Sequence, residues 1–190
     1  AGAMTILDEA GTALVGGHTS EGAELSLGFA VNGLVEAKEV LRKGGMKAGD
    51  RLVLTKGLGT GALFAADMRQ KAKGRWIEGA VRSMVQSNRA GADCLFEHGA
   101  TACTDVTGFG LLGHLVEMTR PSEVDVELDL AAIPLLDGAR ETVEAGIFSS
   151  LQPQNVRLRR AIRDVDAVAD DPRYPLIFDP QTAGGLLASV

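Results

Sequence analysis

The sequence predicts an α+β fold in which helices layer against a sheet, and three observations carry that reading. Residues 124–130 read Val-Asp-Val-Glu-Leu-Asp-Leu, an alternation that gives a strand one dry and one wet face. Between 76 and 89, Ile77, Ala80, Val81, Met84 and Val85 fall at i, i+3, i+4, i+7 and i+8. That is one apolar helix stripe, with Glu78, Arg82, Gln86 and Arg89 on the other face. Strand-like and helix-like runs also follow one another without strict βαβ alternation, which favours a layered sandwich.

Taken in order, Met4, Ile6 and Leu7 suggest a helix that starts abruptly, since Ala1 has no cap before it. A preceding domain is therefore expected. Ala13-Leu14-Val15 is a short apolar strand ending in Gly16-Gly17. Leu25, Leu27, Phe29 and Val31 have the period of a half-buried strand, and 36–42 of a short helix. Gly44-Gly45 and Gly49-Asp50 mark turns. Residues 51–55 predict a strand, 62–68 a helix, and 102–106 a strand that breaks at Gly108 and Gly110 into a helix reaching Met118. Pro134 is suited to open a helix ending near Gly146. Residues 148–154 read as loop, and Asn155 as the cap of a short basic helix over 156–163. Leu176-Ile177-Phe178 leads to a last turn, and 186–190 is a strand that meets the chain end.

With 190 residues, the length fits one domain, or one plus part of another. The net charge of −6 argues against a general nucleic-acid-binding surface. No apolar run reaches the ~18 residues of a membrane span, and no basic segment precedes an apolar one as in a signal peptide. Cys94 and Cys103 lack metal-site or disulfide spacing. They read as buried, inert thiols, and a reducing cytoplasm is the simplest setting.

Four turns share one design, an apolar run followed by glycines mixed with Thr, Ser, His or Asp. They span 16–21, 56–61, 104–110 and 179–185. Glycine lets backbone N–H groups approach an oxyanion closely. Lys56 can add positive charge, and Asp105 and Asp179 are hard oxygen ligands of the kind that hold the metal beside a phosphate. Each turn alone is compatible with a plain structural role, but four in one chain point to phosphate handling. His98 reads as an exposed helix-end residue and His114 as a packing histidine rather than a base.

In order and approximate spacing these motifs resemble selenophosphate synthetases (selenide, water dikinases), within the aminoimidazole ribonucleotide synthetase-like superfamily. They are Gly16-Gly17-His18-Thr19, Leu54-Thr55-Lys56 with Leu58-Gly59-Thr60-Gly61, Thr104-Asp105-Val106-Thr107-Gly108-Phe109-Gly110-Leu111-Leu112-Gly113-His114-Leu115, and Asp179-Pro180-Gln181-Thr182-Ala183-Gly184-Gly185. The third is the most specific, and the resemblance spans the whole chain.

The resemblance implies a C-terminal portion of such a protein. Residues 1–45 would end an N-terminal ATP-binding domain. Residues 46–190 would form an α+β domain truncated at its end, a layered α/β sandwich with a mixed, mostly antiparallel sheet. The implied reaction converts ATP, selenide and water to selenophosphate, AMP and phosphate with Mg²⁺, in a cytoplasmic homodimer. Gly17, His18 and Thr19 would contact ATP, and Asp105 would bind metal. The reactive Cys or selenocysteine and its Lys would lie upstream of Ala1, so the chain alone would not turn over. Two departures stand out: Gly57 replaces a frequent Pro, and Ser20-Glu21-Gly22-Ala23-Glu24 replaces an acidic, Pro-containing segment. The alternatives are another ATP-dependent synthetase of the superfamily, or a non-catalytic module that keeps the fold. Fusion of the full-length chain to an oxidoreductase stays open.

Overall fold

The computed structural model describes residues 2–190, so the chain start read at Ala1 lies outside the described residues. The backbone divides into two units, with the boundary between Val35 and Glu36.

The first unit holds one helix, α1 (Gly2–Glu9), none of whose residues is buried. Beyond it the residues are almost all exposed and lie in no helix or strand, and the two strands expected around Val15 and over 25–31 do not form. Val15 is 96% exposed and Leu27 80%. The period-2 pattern is present, but a strand needs a partner for its N–H and C=O groups. Among the described residues these segments have none.

The second unit is built on a sheet of three antiparallel strands in the order β1-β3-β2: β1 (Leu52–Leu54), β2 (Ala102–Asp105) and β3 (Leu186–Ser189). Leu187 stands opposite Leu54 on one side and Thr104 on the other. Successive side chains of a strand point to opposite faces, and β3 shows it. Leu187 joins a cluster with Leu111, Leu115, Met118, Ile177 and Phe178. Ala188 joins Leu95 and Cys103 on the other face. The helix α5 (Gly110–Ser122) supplies Leu111, Leu115 and Met118 to the first cluster. The helix α4 (Arg89–Glu97) covers the second with Leu95.

The remaining helices pack beside this sheet. α2 (Thr60–Met68) buries Ala62 against α6 (Ala139–Glu144), and Leu63 against Trp76 and Ala80 of α3 (Gly74–Val85). The apolar stripe over 76–89 predicts one helix reaching Arg89. The chain instead stops at Gln86 in extended conformation and restarts after Asn88, whose backbone is αR. Pro134 opens no helix. Its carbonyl accepts from Leu58 N–H at 2.9 Å, and Leu136 N–H donates to Leu58 C=O at 2.9 Å, so α6 starts only after Gly138. The expected loop over 148–154 contains α7 (Gln152–Asn155). The basic stretch after it is a 3₁₀ helix, Val156–Ala161, and Asn155 makes no side-chain cap on it.

The most regular strand pattern gives the main correction. Residues 124–129 lie outside any helix or strand and Leu130 opens a 3₁₀ helix (Leu130–Ala132), while burial alternates as read, with Val124, Val126 and Leu128 half-buried and Asp125, Glu127 and Asp129 exposed. No ladder forms there. Alternation specifies which face is dry, whereas pairing requires a neighbouring strand in register. Cys94 corrects a second expectation, since it is exposed. Cys103 is buried as read, and burial pushes its thiol pKa up, with the charge of Asp105 adding to that.

Candidate functional site

Three of the four polar-glycine turns meet in the second unit, and Gln181 is the knot. Its Oε1 accepts from Gly59 N–H at 3.0 Å and from Thr60 N–H and Oγ1 at 3.2 Å each. Its Nε2 donates to the carbonyl of Asp179 at 2.8 Å and to Asp179 Oδ2 at 2.9 Å. Its backbone N–H donates to Thr107 C=O at 3.0 Å. One buried amide thus joins the 56–61, 104–110 and 179–185 turns. Thr60 Oγ1 closes the loop by accepting from Thr182 N–H at 2.9 Å.

Asp179 is 1% exposed. Its Oδ2 accepts from Gly61 N–H at 3.1 Å, in the first turn of α2, where unpaired N–H groups and the helix dipole favour a carboxylate. Burial nevertheless dominates and raises its pKa from 3.8 to about 7, against the hydrogen bonds from Gln181 and Gly61. Oδ1 has no partner. Asp179 is therefore a structural carboxyl under α2 rather than a ligand facing solvent. Lys56 is also engaged internally, with Nζ donating to Gln86 C=O at 2.7 Å and Ala183 C=O at 3.2 Å. Burial lowers its pKa.

Two glycines are required by contact. A Cβ on Gly184 would stand 2.1 Å from the carbonyl oxygen of Val106. At Gly110, φ is +70° and a Cβ would fall 2.8 Å from the carbonyl carbon of Phe178. Here glycine serves close packing of the turns on each other. His114 pins the same region. It is 3% exposed, and its Nε2 accepts from Thr107 N–H at 3.0 Å. That assigns the ring proton to Nδ1, which donates to Glu117 Oε2 at 3.2 Å. It is a satisfied packing histidine, as the sequence reads. His98 is exposed at the end of α4.

Asp105 is the one carboxylate of this knot that faces solvent. It ends β2, opposite Leu186, after three buried residues. The next residue is fixed by Val106 N–H donating to Gly185 C=O at 2.8 Å. The backbone around Asp105 is thus tied into the sheet and the last turn while its side chain is exposed. By itself it does not make a Mg²⁺ site. The ion takes octahedral oxygen coordination, and no group of three or more His, Cys, Asp or Glu that could hold a metal occurs among the described residues. Gly17, His18 and Thr19 lie in the first unit, exposed and outside any helix or strand. Gln181, read only as part of a turn, and Asn155, expected as a helix cap, instead serve as buried amide anchors. Asn155 is buried and donates from Nδ2 to Gly108 C=O at 2.8 Å and Phe178 C=O at 3.0 Å. The available signal was a polar amide set among apolar or turn residues.

Residues 47–190 match the family model of the AIR synthase related protein, C-terminal domain. The chain belongs to this family. The AIR synthase-related fold also appears in a solved thiamine-monophosphate kinase from Stenotrophomonas maltophilia. That structure covers 82% of this chain and 44% of its own at a TM-score of 0.53 and 17% identity. Curated relatives extend the likeness through the whole chain. The selenide, water dikinase of Geobacter metallireducens is 41% identical over 100% of the chain. The protein of the same name from Trichlorobacter lovleyi is 42% identical over 100%, and that of Rhizobium meliloti is 41% identical over 99%. The chain spans about half the length of these relatives, 55%, 55% and 54% respectively.

Proposed function

We propose that the full-length protein is an ATP-dependent selenophosphate synthetase, a selenide, water dikinase, and that this chain is its C-terminal portion. The observation that carries the reading is the ordered set of four turns, together with about 40% identity to proteins of that name along the whole chain. In this reading the γ-phosphoryl of ATP goes to selenium, and water takes up the second phosphoryl, leaving selenophosphate, phosphate and AMP. Such transfers are catalysed mainly by positioning and charge neutralisation.

Within that scheme Gly17, His18 and Thr19 contact the nucleotide, glycine providing close backbone approach and His18 and Thr19 polar side chains. Asp105 contributes one hard oxygen ligand to a Mg²⁺ site that residues outside this chain complete. The Mg²⁺ would neutralise phosphate charge. The reactive Cys or selenocysteine and its Lys are likewise assigned to the rest of the protein, so this chain alone is inactive. The proposed residues 1–45 and 46–190 then belong to two domains, and the full-length protein is a homodimer. Dependence on ATP and a reduced selenium substrate fits a cytoplasmic enzyme.

The test is product analysis with the full-length protein, ATP, Mg²⁺ and selenide. AMP and phosphate should appear only when selenide is present. Release of ADP alone, or phosphorylation of a different acceptor, would place the protein in another branch of the family.

A further inference from the structure

An open groove of about 610 Å³ has Arg42, Lys43 and Gly44 on one bank and Glu117, Arg120 and Pro121 of α5 on the other. Its lining holds three cations and one carboxylate. Arg42 and Arg120 are exposed and enter no ion pair among the described residues. The carboxylate is already engaged. Lys43 Nζ donates to Glu117 Oε2 at 2.7 Å, and His114 Nδ1 donates to the same oxygen at 3.2 Å. The hydrogen bond from Lys43 holds the Glu117 carboxyl below its ordinary range, so it is ionised at neutral pH. The lining then carries an excess of two positive charges.

This differs from a scatter of surface cations because both banks are fixed. Cys103 N–H donates to Arg42 C=O at 2.8 Å, tying the first bank to β2. Ser122 Oγ accepts from Gly45 N–H at 3.0 Å and Met46 N–H at 3.1 Å, while donating to Met118 C=O at 2.7 Å. A Cβ on Gly44 would stand 3.0 Å from Pro121 Cβ, so the banks close to contact there. Lys43 is positioned through Glu117 by His114, which is 3% exposed. An ammonium has three donors, and Lys43 spends one on Glu117.

We propose that this groove binds a phosphate-type dianion, free or carried on a small monoester, between Arg42, Lys43 and Arg120. Planar guanidinium forks match phosphate oxygens two at a time, and the ammonium adds a point charge. A dianion neutralises the excess charge of the lining, whereas a monovalent anion leaves half of it. Glu117 opposes the ligand, but its charge is shared between Lys43 and His114. The negative end of the α5 dipole also lies on this side, so binding rests on the three side chains and not on the helix. None of the groove's lining residues belongs to the four polar-glycine turns, so the site stands apart from the ATP chemistry proposed above.

Calorimetric titration of the full-length protein with inorganic phosphate, without Mg²⁺ and at fixed ionic strength, tests the site. Wild type should bind phosphate saturably, with sulfate competing and chloride not. Arg42→Gln with Arg120→Gln should weaken binding by roughly tenfold or more. Arg42→Lys with Arg120→Lys should weaken it less, because only the forks are lost. Both arginines are exposed and unpaired, so each variant should unfold at the wild-type temperature. Glycerol phosphate binding more tightly than phosphate supports an ester as the ligand, and equal or weaker binding supports the free ion. Absence of saturable binding, displacement by chloride, or equal affinity in wild type and the glutamine variant would overturn the proposal.

Discussion

Asp179 shows how one residue is held for structure at an electrostatic cost. Its pKa in the fold, about 7, lies above the ordinary 3.8 because burial disfavours the charge. A raised folded pKa means that its contribution to stability is fully present below about pH 4 and is lost as the pH rises through about 7. The span corresponds to on the order of 4 kcal/mol. Asp179→Asn keeps an acceptor for Gly61 and cannot ionise. Thermal unfolding of both proteins from pH 4 to 8 should therefore show the variant gaining on wild type as the pH rises. A constant gap would contradict the assignment. Gln181→Ala strands several buried donors and acceptors and should cost roughly 3 kcal/mol, read by chemical denaturation. Gly184→Ala drives a methyl group into the Val106 carbonyl, and a loss of roughly 2 kcal/mol is expected in the same measurement.

At the scale of elements, the sequence was most legible where local chemistry suffices. β1, β2, β3, α2 and the core of α3 are where apolar runs and helical periodicity put them. The helix after Gly110 forms as read and extends past Met118, through Pro121, to Ser122. Pairing was not legible, because it depends on segments distant in the chain. The best strand pattern, over 124–130, lacks a ladder, and so does the one over 25–31. The turn positions were legible from glycine, but their convergence on Gln181 was not, since nothing local marks an amide that bonds across more than a hundred residues. Asp179 illustrates the same limit, reading as a candidate ligand although it is enclosed beneath α2. At this scale the pinning of the 104–110 turn by α5 can be tested. His114→Phe removes the acceptor of Thr107 N–H and should destabilise the unit by roughly 2 kcal/mol. It should also speed exchange at the Thr107 and Gly110 amides.

For the whole molecule, the described residues offer a knot of three turns from which one carboxylate, Asp105, faces solvent, and in a separate unit an exposed Gly-Gly-His-Thr segment. Neither is a complete site among the described residues. The chain belongs to the AIR synthase-related family and spans about half the length of the dikinases it resembles, and the proposed function places the rest of the site in the remainder of the protein. In the function proposed above, Asp105 acts only in the full-length protein, and the most direct measurement is titration of that protein with ATP, with and without Mg²⁺. Asp105→Ala should weaken Mg²⁺-dependent ATP binding by roughly tenfold or more, with unfolding temperature unchanged because the side chain is solvent-exposed. Equal Mg²⁺-dependent affinity in wild type and variant would remove Asp105 from the site and contradict the account.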